Sequence, residues 1–223
     1  MKAQADSGWI RRVGPRMRVL LPAKVAGITV GMAAFFAVYF QLLRHPIFPV
    51  TTVPLTAIDR IVGFHPGALP LYLSLWVYVF LAPGLVVSRR ELFSYGLSAV
   101  VLSMVGFGIF LLWPTAVPRF SIVWPASSLF TILKAADASG NACPSLHVAF
   151  AVFTAIWAGR LLREVGAGRT ARILSWARCA GIVYSTLAVR QHVALDALCG
   201  AALGAIVAGV NLRLLDARPQ TGR

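Results

Sequence analysis

The amino-acid sequence predicts an all-α, polytopic membrane protein with six transmembrane helices, and three properties of the chain support this prediction. Apolar residues make up 58% of the sequence and charged residues only 13%, whereas a soluble domain carries roughly 25% charged residues. The mean hydropathy is +0.77. At about 20 residues per crossing, the chain has room for roughly six helical spans and no large extramembrane domain.

Six apolar segments are expected to cross the membrane as helices. Their approximate ranges are 22–43, 67–87, 92–112, 146–162, 172–190 and 193–212. The first segment is long for the core of a signal peptide and no small-residue cleavage site follows it, so we expect it to be retained. The chain then divides into a basic N-terminal segment (1–21), a membrane domain (22–212) and a basic tail (213–223).

The distribution of basic residues predicts the orientation of the helices. The chain has 21 Lys and Arg against 7 Asp and Glu, a net charge of +14, which in a soluble protein would suggest a nucleic-acid partner. Here the basic residues flank apolar segments, which is typical of topogenic charges. With the N-terminus in the cytoplasm, fifteen Lys and Arg lie on the cytoplasmic side and five on the other, and Arg178 lies within the fifth span. We expect a bacterial-type inner (plasma) membrane protein with both termini cytoplasmic and no nucleic-acid partner.

Two connections on the outer side are long. The first, residues 44–66, is rich in proline and contains a short amphipathic stretch at 56–62 that is suited to the membrane interface. The second, residues 113–145, carries several polar side chains. Loops of this length in compact proteins are often functional.

Two histidines are expected to meet at this outer face. The fourth and sixth predicted spans both begin on the outer side, so His147 and His192 lie at the same depth. Asp196 follows His192 by four residues, which places both side chains on one face of a helix. The carboxylate can then fix the imidazole tautomer, and the second ring nitrogen can act as a nucleophile or general base. An aspartate inside a span is costly without such a partner, which favours a functional role.

Groups that suit an anion accompany the two histidines. Pro144 and Ser145 indicate a helix start, where Ser145 or a neighbour caps the helix and the first backbone amides can bind an anion. Arg119 and Arg190 are expected on the same side, and their guanidinium groups can fork onto phosphate oxygens. The sequence therefore predicts a catalytic site for a phosphate group at the non-cytoplasmic face.

At these residues the chain resembles the type 2 phosphatidic acid phosphatase superfamily of membrane lipid phosphatases and phosphotransferases. Residues 143–147 read Cys-Pro-Ser-Leu-His, similar to the family's Pro-Ser-x-His motif. Residues 192–196 read His-Val-Ala-Leu-Asp, similar to its His-x-x-x-Asp motif. With the six-span layout, the resemblance covers roughly residues 67–212.

The resemblance implies a role for each of these residues. His192 would attack phosphorus to form a phosphohistidine, Asp196 would orient His192, and His147 would protonate the departing oxygen. The phosphoryl oxygens would be held by Arg119, Arg190 and Ser145. The resemblance implies a lipid phosphate substrate within the bilayer, and no metal or other cofactor is required. The oligomeric state is left open.

Two departures from the family's pattern favour one of its branches. The phosphatase branch has a lysine ahead of an Arg-Pro pair, whereas this chain has the reverse order, Pro118-Arg119. Its basic residue nearest the final histidine is Arg190, two positions before His192. Both features look more like the inositol phosphorylceramide synthase branch, whose members move a phosphorylated head group between lipids. Head-group transfer is therefore an alternative to hydrolysis.

Two other classes of function stay open at the level of the residues. A six-helix protein with an intramembrane histidine and aspartate could be a proton-coupled transporter, although the chain lacks internal repeats and paired broken helices. Cys143, His147 and His192 could bind a metal ion, although Pro144 interrupts the first pair and a fourth ligand is missing. Flux without chemical turnover would favour transport, and loss of activity with a chelator would favour a metal.

Overall fold

The computed structural model describes residues 8–120 and 140–217, and helices dominate it. The α-helices of these two ranges are α1 (Ile10–Arg18), α2 (Leu21–Arg44), α3 (Ala57–Val62), α4 (Leu69–Leu73), α5 (Leu75–Tyr78), α6 (Leu81–Leu85), α7 (Arg89–Leu112), α8 (Leu146–Glu164), α9 (Arg169–Ala188) and α10 (Ala194–Ala217). A 3₁₀ turn (Pro66–Ala68) precedes α4, and two short strands, β1 (Thr51–Thr52) and β2 (Thr115–Ala116), pair in parallel. Lys2, Lys134, Arg218 and Arg223, which the charge count uses, lie outside the described residues.

Several of these helices fit a membrane-spanning role. Within the described ranges, five stretches are long and apolar enough to cross a membrane: Leu21–Arg44, Pro66–Leu85, Arg89–Leu112, Leu146–Glu164 and Ala194–Ala217. The chain therefore has the helices of an integral membrane protein. The fifth predicted span forms α9, a helix of 20 residues, but three arginines along it lower its hydropathy and it is not among the five. The count of six spans stays a prediction.

The second predicted span differs from a regular helix. It is divided into α4, α5 and α6, with turns at Ser74 and at residues 79–80. The Ser74 hydroxyl donates to the carbonyl of Leu71, and such bonds compete with the helical ladder. Pro83 lies within α6 and has no N–H to donate. These residues explain why the segment is an interrupted helix.

Both predicted extramembrane termini contain helix. Helix α1 lies within the segment 1–21, and α10 continues to Ala217, inside the predicted tail. Lys24 of α2 fastens α1 to the bundle, because its Nζ donates to the carbonyls of Arg16 at 2.9 Å and of Gly84 at 2.8 Å. These bonds compensate the cost of burying an ammonium group.

Helix α8 lies at the centre of the bundle and packs most closely against α10. A Cβ atom at Gly200 or Gly204 of α10 would collide with the backbone carbonyl oxygens of Ser145 and Ala149, respectively. The two backbones therefore touch, as small residues permit in membrane helices. The backbone N–H of Ser145 also donates to the Asp196 carbonyl at 2.9 Å. Helices α8 and α10 thus begin at the same end of the bundle. Helix α9, which lies between them in the chain, runs in the opposite direction.

Candidate active site

The first turn of α10 holds a buried carboxylate that engages a histidine. Asp196 is fully buried, and its Oδ2 lies 3.2 Å from Nδ1 of His192. Its Oδ1 accepts from the backbone N–H of Val193 at 2.9 Å. Because a carboxylate only accepts hydrogen bonds, Nδ1 of His192 is the protonated nitrogen of the neutral ring. Nε2 is therefore the basic nitrogen of the His192 ring.

The start of α8 sets the position of the Pro-Ser-Leu-His motif at residues 144–147. The Ser145 hydroxyl accepts from the backbone N–H of Val148 at 3.2 Å, so Ser145 caps this helix as the sequence predicts. Ser145 is fully buried. Together with its backbone bond to Asp196, this cap fixes the start of α8 against the start of α10.

His147, two residues further along, is held by aromatic rings of the interrupted helix. Its imidazole stacks on Tyr72 with ring centroids 4.1 Å apart and planes 10° apart. Trp76 meets the ring edge-on at 6.3 Å. The ring also hydrogen-bonds the Tyr72 backbone, while Nε2 is buried and has no partner among the residues that the structure describes. That nitrogen is therefore positioned to exchange a proton with a ligand.

The two imidazoles line one cavity of about 980 Å³. Its polar end carries His147, His192 and Asn141. Its walls are apolar and aromatic side chains of α2, of α4 to α6, of α7 and of α8. The wall residues include Phe35, Phe36, Tyr39, Phe40, Phe80, Phe107 and Phe150. The structure thus joins a polar pair of histidines to a long apolar groove.

The three predicted phosphate ligands occupy different positions. Ser145 lies at the site, but its hydroxyl already caps α8. Arg190 has a positive φ of 59° and donates from Nη1 to the Asp59 carbonyl at 2.9 Å. Its guanidinium carbon lies 4.6 Å from the Phe120 ring centroid, and its Nε is buried without a partner in the described part of the chain. Arg119 is exposed in the loop after β2. Neither Arg119 nor Arg190 is among the cavity-lining residues.

Asp59 belongs to the site region, although sequence reasoning placed it in an interfacial stretch. It is buried, with 1% of its surface exposed, and its Oδ1 accepts from the backbone N–H of Ala194 at 2.7 Å. Its Oδ2 accepts from the N–H and the hydroxyl of Thr56. With its carbonyl bonded to Arg190, Asp59 links α3 to both sides of His192. A negative charge at a helix start is favourable. Asp59 is the one acidic residue in the connection 44–66 of the sequence, and this is the signal that could have indicated its role.

Cys143 directly precedes the Pro-Ser-Leu-His motif, and a hydrogen bond from its backbone fixes its position. Its N–H donates to the Thr115 hydroxyl at 2.8 Å. Burial, with a smaller contribution from neighbouring Cys199, raises the pKa of the Cys143 thiol to about 12. Across residues 8–120 and 140–217, no group of three or more His, Cys, Asp or Glu side chains is arranged to hold a metal ion.

Fold and site together define an integral membrane protein in which two histidines, one of them paired with a buried aspartate, share an apolar cavity. The sequence matches the family model of the PAP2 superfamily over residues 89–219, more than half of the chain, and the protein belongs to this superfamily. Membership indicates hydrolysis or transfer of a phosphoric ester. The resemblance seen in the two motifs is thereby confirmed at the level of the superfamily, while the inositol phosphorylceramide synthase branch stays a prediction. Neither the curated proteins nor the solved structures provide a match.

Proposed function

We propose that this protein transfers the phosphoryl group of a lipid phosphate through a phosphohistidine at His192. The observation that carries the proposal is the contact between His192 and the buried Asp196, in the cavity that also holds His147. A nucleophile, its orienting carboxylate and a second imidazole are the groups that covalent phosphoryl transfer needs.

In the first step, Nε2 of His192 attacks phosphorus and forms an N–P bond while the ester P–O bond breaks. His147 begins as an imidazolium, stabilised by the negative phosphate, and gives its Nε2 proton to the departing alcohol oxygen. Asp196 accepts the Nδ1 hydrogen bond throughout and offsets the positive charge that develops on His192.

In the second step, His147 accepts a proton from water or from an acceptor alcohol as its oxygen attacks phosphorus. The N–P bond breaks, and the products are inorganic phosphate or a new phosphoester and neutral His192. Hydrolysis and transfer thus share every step except the identity of the acceptor. Division of one displacement into two lowers the individual barriers.

The apolar groove favours a substrate that carries a long hydrocarbon chain. The chain would lie between α2 and α7, beside Gly27, Gly31 and Gly96, where a Cβ atom would meet no atom within 4 Å. Such space suits an acyl or prenyl chain, and burial of that chain supplies binding energy at roughly 0.8 kcal/mol per methylene.

The phosphate would be held at the polar end of this groove. The start of α8 contributes the positive end of a helix dipole. Arg190 lies beside the cavity and can reach the phosphate with its Nε, which has no partner among the described residues. Arg119 stays a predicted ligand that would have to reach the site from its loop. We further propose that α9 is the sixth span and that the site faces the outer side, because the basic flanks of the helices favour this orientation.

The test uses purified protein in detergent with phosphatidic acid, a polyprenyl diphosphate and a phosphoinositide. Release of inorganic phosphate identifies a water acceptor, and exchange of a labelled head group without such release identifies an alcohol acceptor. His192→Ala should abolish whichever activity is found, while His45→Ala, a substitution of an exposed histidine, should preserve it. Unchanged turnover by His192→Ala would overturn the proposal.

A further inference from the structure

A second cavity, of about 550 Å³, lies at the opposite end of the bundle from the two histidines. It is formed where α8 ends and α9 begins. Its lining residues are Gly159, Arg163, Arg169, Arg172, Ile173, Trp176, Ala177 and Ala180. Nothing in the proposed phosphoryl transfer uses this cavity.

One part of this cavity is strongly basic, and no described acidic side chain lines it. Among the described residues, its lining includes three arginines and no acidic residue. The acidic side chains that the structure describes at this end of the bundle already have a partner, because Glu91, Glu164 and Asp216 all contact Arg160. The three guanidinium groups of the cavity are therefore left to bind an external anion.

Arg172 shows the lack of a counter-charge most directly. Its Nε is buried and has no hydrogen-bond partner within the described residues. In addition, the first turn of α9 contains no acidic residue and its N-cap, Gly168, has no side chain to accept from the first amides. Basic residues at a helix N-terminus oppose the helix dipole. A bound anion would relieve both conditions.

The remainder of the cavity is apolar. Residues 169, 172, 173, 176, 177 and 180 form one continuous face of α9, which spans about 16 Å at 1.5 Å per residue. The basic residues lie at the start of this face, and the exposed side chains of Ile173 and Trp176 follow. Gly159 of α8 keeps the groove open, because a Cβ atom there would meet nothing within 4 Å.

From this arrangement we infer that the groove between α8 and α9 binds an anionic phospholipid. The lipid phosphate lies against Arg163, Arg169 and Arg172, and one acyl chain follows Trp176 and Ala180 toward the membrane interior. Arginine suits a phosphate because its planar group donates two parallel hydrogen bonds. The apolar continuation selects a lipid over a soluble phosphate, since only a lipid covers Ile173 and Trp176. This site is distinct from the substrate groove and does not depend on the proposed catalysis.

The test measures lipid binding instead of turnover. The full-length protein is placed in nanodiscs of phosphatidylcholine with increasing phosphatidylglycerol, and its thermal unfolding midpoint is followed. We expect the midpoint of the wild-type protein to rise with phosphatidylglycerol. Combined replacement of Arg163, Arg169 and Arg172 by Gln should weaken the apparent affinity by roughly tenfold or more. The control replaces Arg11, Arg18 and Arg89 by Gln, which removes the same charge from exposed positions outside the cavity.

An equal loss in both triple variants would overturn the proposal, because it would show general attraction to the membrane surface. Ala180→Phe tests the apolar part without a change in charge and without a change in the core, since Ala180 is exposed. It should weaken phosphatidylglycerol binding also, and undiminished binding would contradict the placement of the acyl chain. Glycerol phosphate added to protein in pure phosphatidylcholine should give no comparable rise, and an equal rise would assign the cavity to a soluble anion instead.

Discussion

Glycines occur in two regions of this molecule and have opposite effects on the packing of the helices there. At the α8–α10 contact, Gly200 and Gly204 bring two backbones together and leave no room for a side chain. Along the groove between α2 and α7, Gly27, Gly31 and Gly96 face open space. The first set brings the two sequence motifs together, whereas the second set lines the groove in which we propose that the substrate chain lies. Small residues in these helices therefore allow close approach of two backbones in one place and leave an open groove in another.

The largest expected effect of a substitution concerns the catalytic side of this comparison. Asp196→Ala should lower kcat by about 10³- to 10⁴-fold, because His192 loses the partner that fixes its tautomer. The measurement is steady-state turnover of the preferred lipid phosphate. Asp216→Ala is the control, since it removes a carboxylate from the same helix that is bonded to Arg160 at the far end of the bundle. Retention of a tenth of wild-type turnover by Asp196→Ala would contradict the role of this pair.

The packing contact itself is tested by Gly204→Leu. The new side chain would meet the Ala149 backbone, which cannot move aside as a flexible side chain could. We expect a loss of about 1–3 kcal/mol in the free energy of unfolding, or failure to fold. A Cβ atom at Gly209 in the same helix would meet no atom within 4 Å, so Gly209→Leu should be nearly neutral. Equal stability of the two variants, measured by unfolding in mixed detergent micelles, would show that α8 and α10 are not in backbone contact.

The open groove is tested by Gly31→Phe. The ring should fill space that the substrate chain otherwise occupies. We expect kcat/KM for a long-chain phosphate to fall roughly tenfold, because tenfold corresponds to the burial free energy of about two methylene groups. Turnover of a short-chain analogue should change much less. Gly108→Phe, outside the groove and with open space at its Cβ position, is the matched control. Equal reduction for long and short chains would place the substrate chain elsewhere.

The smallest effect is expected at Asp59, which bonds to Arg190 and Ala194 on either side of His192 but to neither imidazole. Asp59→Asn removes the negative charge at the start of α10, at a cost of about 1 kcal/mol. If Asp59 positions His192, kcat should fall by about fivefold while KM for the short-chain analogue stays constant. A change confined to thermal stability would identify Asp59 as structural only.

Sequence reasoning could predict the helical membrane architecture and the two motifs, because both depend on local patterns. The four-residue spacing of His192 and Asp196 predicts their contact, and the structure has it at 3.2 Å. The capping role of Ser145 is equally local. These features need no knowledge of which helices are neighbours.

The remaining features depend on contacts between distant parts of the chain. The bond from Ala194 to Asp59 joins residues 135 positions apart, and no local pattern indicates it. The stack of Tyr72 on His147 similarly requires the packing of an interrupted helix against α8. The prediction of Arg119 and Arg190 as ligands rests on their expected position on the outer side of the membrane, which does not fix the direction of a side chain in a loop.

The covalent role of His192 is the central claim, and trapping of the phosphorylated protein tests it most directly. Wild-type protein mixed with radiolabelled lipid phosphate and quenched in alkali should carry label that is stable to alkali and released by acid. Peptide mapping should assign the label to His192, and His192→Ala should carry none. Product formation with no labelled protein, or with the label on another residue, would contradict the account.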